Sequence, residues 1–398
     1  MKPSKTWNQH VVKRENKSLV LETIKQNSPI SRANVAKITG LNKGTVSSLV
    51  SELITKQIIY ESGPGESRGG RRPVMLLFSK KAGFSIGIDL GVNYILGILT
   101  DLEGNIVHEK MINIKVKDLT YEETQNNLYN MIDSFQNIAP TSPYGIIGIG
   151  IGIPGIVNTA GKILLAPNLG WRNINLKTIM SKKYNIPIII ENEANAGAYA
   201  EQKYGAGKNL SNIIYVSVGV GIGVGMILGG ELYKGKSGFS GEFGHMTIET
   251  NGKKCSCGSQ GCWELYASEQ TLIDGAKNQG IHLASGKVLS LESLLLLAEE
   301  GNRQTIQLFN QIGDYLGVGL NNIINIFNPE QVIIGNQMAQ AKKWIHPALT
   351  NRLGSQALWF QQKDLKINYS SLSAHSTALG MTVFSLNNFF NNHLGQNE

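Results

Sequence analysis

"GFSIGIDLGVNYILGILTDLEGNIVHEKMINI", residues 83–114, is the stretch that decides the fold. Apolar runs broken by glycine-bearing turns read as strand, turn, strand, turn, strand. Near Asn212 the pattern returns. "NIIYVSVGVGIGVGMILGGELYKG", residues 212–235, is again a pair of Gly-rich strands with a turn. Helical stretches follow the two blocks, around 121–137 and 292–328. Further strands are read in "YGIIGIGIGIPGIV" (144–157), "IPIIIEN" (186–192) and "EQVIIGN" (330–336). Two β-rich blocks, each followed by helices and another strand, predict duplicated α/β lobes with a cleft between them.

One strand end stands out. In "IIIENEANAGAY", residues 188–199, an apolar run stops at Glu191-Asn192-Glu193 and small residues follow. A buried strand that delivers polar groups and then passes into a helix is where α/β proteins place ligand-binding and catalytic groups.

The chain has 398 residues, too many for one ordinary core, so two or three domains are expected. No continuous apolar run reaches the roughly 18 residues of a membrane span. The opening "MKPSKTWNQHVVKREN" lacks the apolar segment of a secretory signal, so a cytoplasmic protein with no membrane partner is expected. The charge is lopsided. Residues 1–81 hold 15 Lys and Arg against 5 Asp and Glu, while the remainder holds 22 against 24. A basic first fifth on a nearly neutral body predicts a polyanion-binding module.

That module reads as three helices and a hairpin. Leu19, Val20, Thr23 and Ile24 lie at helical spacing in residues 16–26. Ser31 can cap a second helix through "RANVAKIT", Gly40 breaks it, and Asn42 can cap a third through "KGTVSSLVSELITK". Ala36, Gly40 and Val46 supply a small residue at the crossing, a glycine turn and an apolar anchor, as a helix-turn-helix needs. Two β-like runs, 57–61 and 73–78, flank a Gly/Pro/Arg loop and read as the wing of a winged helix. Arg68, Arg71 and Arg72 on that loop suit a narrow, electronegative minor groove. Arg32 at the second helix and Lys43, Thr45, Ser47 and Ser48 near the start of the third are the candidate contacts to phosphates and base edges. The domains expected are a winged helix-turn-helix over 1–81 and a two-lobed body over 82–398. One lobe takes about 82–190 plus the C-terminal helix, the other about 191–380.

All three cysteines fall within eight residues. His245, Cys255, Cys257 and Cys262 give H-x9-C-x-C-x4-C, three thiolates and an imidazole for a closed tetrahedral zinc shell. Such a site is structural, and an ion there would order the loop from Glu242 to Glu264.

"GIDLG", "GIGIPGIV", "PNLGW", "ENEANA", "GVGIGVG", "GEFGH" and "CSCGSQGCWE" occur in the order of the ROK family, which comprises sugar kinases and sugar-responsive repressors. The resemblance covers roughly residues 82–385. It implies an α/β actin/hexokinase-like duplicated ribonuclease-H fold behind the α+β winged helix, and zinc on the motif positions above. The basic N-terminal module places the chain with the repressor branch. Sugar contacts are implied at Gly155, Asn168, Asn192, Glu193, Glu242, His245 and Glu264. His245 would hold zinc through one ring nitrogen and face the sugar through the other. Trp171 and Trp263 lie near these residues in sequence, as an apolar face for the ring or as core.

Against the kinase pattern of the family, four elements have changed. The first phosphate turn, D-x-G-G-T in kinases, is Asp89-Leu90-Gly91-Val92-Asn93. The second, G-T-G, is Gly219-Val220-Gly221. The glycine triplet of the adenosine motif is Gly335-Asn336-Gln337, and the catalytic aspartate is Glu193. Phosphoryl transfer needs each of these parts. The resemblance therefore implies a non-enzymatic repressor, the alternative being a sugar kinase with a regulatory arm. Glu193, one methylene longer than aspartate, would reach over the sugar's primary hydroxyl and favour a pentose such as xylose over glucose. A homodimer on a palindromic double-stranded operator is the expected assembly.

Overall fold

The computed structural model describes residues 9–64, 73–114, 118–283, 288–356 and 358–395. The N-terminal module comprises α1 (Gln9–Asn27), β1 (Ile30–Ser31), α2 (Arg32–Thr39), α3 (Lys43–Thr55), β2 (Ile59–Pro64) and β3 (Val74–Phe78). Ser31 caps α2 by accepting from the Asn34 amide, and Asn42 caps α3 by accepting from the Thr45 amide at 2.8 Å. Between them Gly40 takes a φ of +71° and closes α2, a conformation that side chains rarely adopt. The first strand of the hairpin starts at Ile59, two residues later than the sequence predicts. Gln57, with φ +53°, is spent on the turn that ends α3. β1 has only two residues, paired with Met75 and Leu76, and is too short to leave a periodic signal. The sheet order is β1-β3-β2.

The first lobe runs β4 (Phe84–Leu90), β5 (Tyr94–Asp101), β6 (Ile106–Asn113), α4 (Tyr121–Ile138) and β7 (Ile146–Ile153). It continues through β8 (Ile156–Val157), β9 (Ile163–Ala166), β10 (Trp171–Ile174), α5 (Leu176–Lys183), β11 (Ile188–Asn192) and α6 (Glu193–Tyr204). The second lobe holds β12 (Ile213–Val218), β13 (Ile222–Leu228), β14 (Glu231–Leu232), α7 (Glu264–Ala267), α8 (Glu269–Asn278), α9 (Leu291–Glu299) and α10 (Arg303–Phe327). After these come β15 (Gln331–Gly335), α11 (Lys342–Gln356), α12 (Trp359–Gln362) and β16 (Lys366–Tyr369), and the last helix, α13 (Ser376–Gly395), returns to pack on the first lobe's sheet. The expected helix over 292–328 is two helices, because Gly301 at φ +83° ends one turn and Asn302 caps the next.

The duplication is visible in the topology. The sheets run β11-β7-β4-β5-β6 and β14-β13-β12-β15-β16. Taken by order along the chain, each has its first strand in the centre. The second lies antiparallel on one side and the fourth parallel on the other. Among the described residues no helix is long and apolar enough to cross a membrane.

The Gly-Ile alternation of β7 explains how the lobes meet. Ile149, Ile151 and Ile153 face a core shared with Leu128, Met131, Ile132 and Phe135 of α4. Gly148, Gly150 and Gly152 face α13 at Ser385, Met381 and Thr377. A Cβ on Gly150 would lie 2.5 Å from the Met381 carbonyl oxygen. Two strand residues advance about 6.6 Å and four helical residues about 6 Å, so successive glycines meet successive turns. Gly380 in turn brings α13 onto the Ala196 backbone of α6, and Gly225 brings β13 onto Ala194. The result is a stack of sheet, α13, α6 and sheet.

Candidate functional site

Asn192 ends β11 and caps α6, its side-chain oxygen accepting from the Ala194 and Asn195 amides at 2.9 and 3.0 Å. Its side-chain nitrogen donates to the Gly155 carbonyl at 3.0 Å and to Glu193 at 2.9 Å. One amide thus ties Gly155, Asn192 and Glu193 together. The turn into β13 supplies the opposing wall. A Cβ on Gly223 would stand 2.7 Å from Glu193 Oε1, and one on Gly221 would stand 2.9 Å from Glu264 Oε2 and 4.0 Å from Asn168 Nδ2. Glu242 interacts electrostatically with His245, Glu264 and Glu193. The fold therefore gathers Gly155, Asn168, Asn192, Glu193, Glu242, His245 and Glu264, spread over 110 positions, into one cluster between the sheets.

Two acids of this cluster, Glu193 and Glu242, are shifted upward, as is Asp89 beside them. Burial pushes Glu193 up to about 8, with Glu242 and Asp89 adding to the effect. Burial likewise pushes Asp89 up to about 7, opposed by the Tyr94 hydroxyl, and raises Glu242. Carboxyls that hold protons near neutrality both donate and accept, which matches paired hydroxyls. Glu191, which the sequence reading left without a role, supports the strand end from below. It accepts from Lys234 at 2.6 Å, from the Asn195 side chain at 3.1 Å and from the Asn192 amide at 3.0 Å. Its place in "ENEANA" was the available signal.

Trp171 and Trp263 are core. Trp171 is buried against Tyr121, ring centroids 5.2 Å apart. Trp263 is fully buried, with its indole N–H donating to the Tyr315 carbonyl at 2.8 Å.

His245, Cys255, Cys257 and Cys262 present four donor atoms within 4.8 Å of one another. Cys257 and Cys262 Sγ are 3.7 Å apart, as are Cys255 Sγ and His245 Nδ1. A tetrahedral ion with metal–sulfur bonds of about 2.3 Å sets sulfurs about 3.8 Å apart, so the donor set fits one metal ion. Burial and the neighbouring thiols push Cys262 up to about 12. Glu264 Oε1 lies 3.3 Å from His245 Nδ1, which links this cluster to the acidic one.

The turns that match the kinase phosphate and nucleotide elements are engaged by side chains of this chain. The Tyr94 hydroxyl donates to Asp89 at 2.7 Å, and its ring covers Gly91. Asn336, at φ +64°, donates to Ser217 at 3.0 Å, lies against Gly219 and accepts from the Gln337 amide. Glu269, whose amide bonds the Gly219 carbonyl, is pushed up to about 7 by burial, with Glu292 adding to it. Sequence comparison flagged Val92, Asn93, Val220, Asn336 and Gln337 but not Tyr94. The bulky ring directly after the phosphate turn was the signal.

On the N-terminal module, Lys43, Ser47 and Ser48 are exposed along one side of α3 and Thr45 is half-buried. Arg32, at the start of α2, is held by Glu61 of β2. Arg68, Arg71 and Arg72 lie outside the described residues.

The model of the ROK family matches residues 85–387. The xylose repressor of Bacillus subtilis (strain 168) is 47% identical over 385 residues, 96% of this chain and 97% of its own length. The DNA-binding transcriptional dual regulator NagC of Escherichia coli (strain K12) is 27% identical over 94% of this chain and 92% of its own. Among solved structures, a ROK family transcriptional regulator homologous to the E. coli MLC protein superposes with a TM-score of 0.80 at 28% identity, over 97% of this chain and 98% of that one. A ROK family glucokinase from Streptomyces griseus, in complex with glucose and AMPPNP, reaches a TM-score of 0.69 at 26% identity over 76% of this chain and 99% of that one. With the family matched across the two-lobed body and the kinship to a repressor running through the N-terminal module as well, the chain belongs to the ROK family, in its repressor branch.

Proposed function

We propose that the protein is a sugar-responsive transcriptional repressor of sugar-utilisation genes, induced by D-xylose. The observation that carries this reading is coverage. The 47% identical xylose repressor spans 96% of the chain, whereas the glucokinase structure covers 76%. The N-terminal module works as a winged helix-turn-helix, with α3 presenting Lys43, Thr45, Ser47 and Ser48 to the major groove. Arg32, paired with Glu61, acts by fixing the hairpin against α2 and contacts phosphate only if that pair opens. Two copies in a homodimer meet a palindromic operator.

Sugar occupies the acidic cluster between the lobes. Asn192 orients Glu193, whose protonated carboxyl, with the Glu242 carboxyl beside it, matches ring hydroxyls. Zinc, held by His245, Cys255, Cys257 and Cys262, crosslinks the loop that carries Glu242 and Glu264. Sugar binding favours one lobe arrangement, and repression is relieved where that arrangement places the DNA-binding modules wrongly. The effect on DNA affinity can be no larger than the sugar's preference between the two arrangements. Phosphoryl transfer is absent in this reading, since Tyr94 and Asn336 occupy the phosphate and nucleotide turns.

A gel-shift titration with D-xylose is the direct check. Release of the operator is expected, and a complex indifferent to sugar would overturn inducer control. The likeness to a glucokinase makes a kinase the second reading. An ADP-release assay on pentoses and hexoses decides between them, with no turnover expected. Calorimetry on Glu193→Asp tests pentose selection, which fails if the xylose-to-glucose affinity ratio stays at the wild-type value.

A further inference from the structure

We infer that α13 is the element that carries the state of the pocket to the DNA-binding module, and that Tyr144 and Lys56 are the positioning residues at its far end. The inference rests on the sugar-responsive reading above and deepens it.

At its pocket end, the Thr377 hydroxyl of α13 donates to the Glu193 backbone carbonyl at 3.4 Å. The helix then has no slack along the first lobe. Gly87, Gly148, Gly150 and Gly152 bring the sheet against it, and Gly380 brings it against α6, which begins at Glu193. At Gly87, Gly150 and Gly380 backbone meets backbone, and at Gly148 and Gly152 only the short Ser385 and Thr377 side chains intervene, so little can absorb a displacement and α13 moves as a rod. Its 20 residues span about 30 Å.

At the far end, Leu386, Phe389 and Leu394 share one apolar core with Leu21, Ile24, Leu53 and Ile58 of the N-terminal module. Lys56 follows α3 directly and is its C-cap. Its ammonium donates to the His393 carbonyl of α13 at 2.6 Å, and its own carbonyl accepts from the Tyr144 hydroxyl at 2.6 Å. The Tyr144 ring packs edge-on against Phe389 and His393, at 4.9 and 5.1 Å. The end of α3 is therefore held between the first lobe and the last turns of α13. A change at Glu193 that shifts α13 must shift the helix carrying Lys43, Ser47 and Ser48.

The test uses the full chain and measures the ratio of operator dissociation constants with and without D-xylose, together with D-xylose affinity by calorimetry. Tyr144→Phe removes only the hydroxyl, and Lys56→Met only the ammonium. Tyr184→Phe serves as control, since its hydroxyl bonds Asp133, away from α13. Wild type should show a ratio within the roughly 5–150-fold range of allosteric couplings. The Tyr144 and Lys56 variants should bind D-xylose as wild type does, while their ratio shrinks by about fivefold or more toward unity. A wild-type ratio retained in both variants overturns the inference and leaves the repressor reading intact. An equal loss in the Tyr184 control overturns it too, as general loosening. A wild-type operator complex that ignores D-xylose overturns the repressor reading itself, and this inference with it.

Discussion

Stripping any metal held by His245, Cys255, Cys257 and Cys262 tests how the pocket is built. His245 and Cys262 stand 17 positions apart, and an ion gripping both, with Cys255 and Cys257 between, closes that loop as a covalent bridge would. For a loop of about 15 residues, closure is worth roughly 3 kcal/mol in the chain-entropy account. Some of the loop holds without the ion. The Cys255 amide bonds the Ser259 carbonyl, the Ile248 amide bonds the Gly261 carbonyl, and Thr247 bridges Cys262. Chelation or Cys257→Ser is therefore expected to loosen the loop without unfolding the lobe. A loss of about 3 kcal/mol in a lobe of this size lowers the melting temperature by roughly 6–12 °C. Glu242 and Glu264 flank the loop and lose their fixed placement, so D-xylose affinity should fall by about tenfold or more, at about 1.4 kcal/mol per factor of ten. The assay combines metal content by emission spectroscopy, melting with and without chelator, and sugar calorimetry. A protein with no stoichiometric metal, or one whose melting point and sugar affinity survive chelation, refutes the reasoning.

Two other outcomes follow from the geometry. Glu193 and Asp89 have folded values of about 8 and about 7, above their ordinary 4.5 and 3.8. Their contribution to stability is intact below about 4 and erodes as pH rises through about 8. Glu193→Gln should flatten the fall in melting temperature between about pH 5 and about pH 9, and parallel curves for mutant and wild type would rule this out. Gly150→Ala forces a methyl group onto the Met381 carbonyl and should cost about 1–3 kcal/mol in thermal or urea melts. Unchanged stability would mean that α13 can lift from the sheet.

Much of the molecule was legible in one sequence. The repeated Gly-rich strand blocks gave the duplication, because apolar runs and turn residues are local signals. Ser31, Gly40 and Asn42 marked the helix ends of the N-terminal module, because capping is a contact within four residues. The four candidate metal ligands were readable because they lie within 18 positions. Other features had no local signature. The two-residue β1 is defined only by its partner β3. Glycines 148, 150 and 152 could be read as strand residues, but only the fold shows that they exist to receive α13, which lies more than 200 positions away. Lys234 on Glu191 and Lys56 on His393 are likewise pairings between distant segments. Sequence by itself determined the long core strands, the capped helices of the N-terminal module and the ligand-bearing turns, since those depend on neighbours a few residues away. Which side chains share the buried volume between the lobes, and hence which acids keep their protons, was decided only by tertiary structure, because desolvation and close packing depend on distance in space.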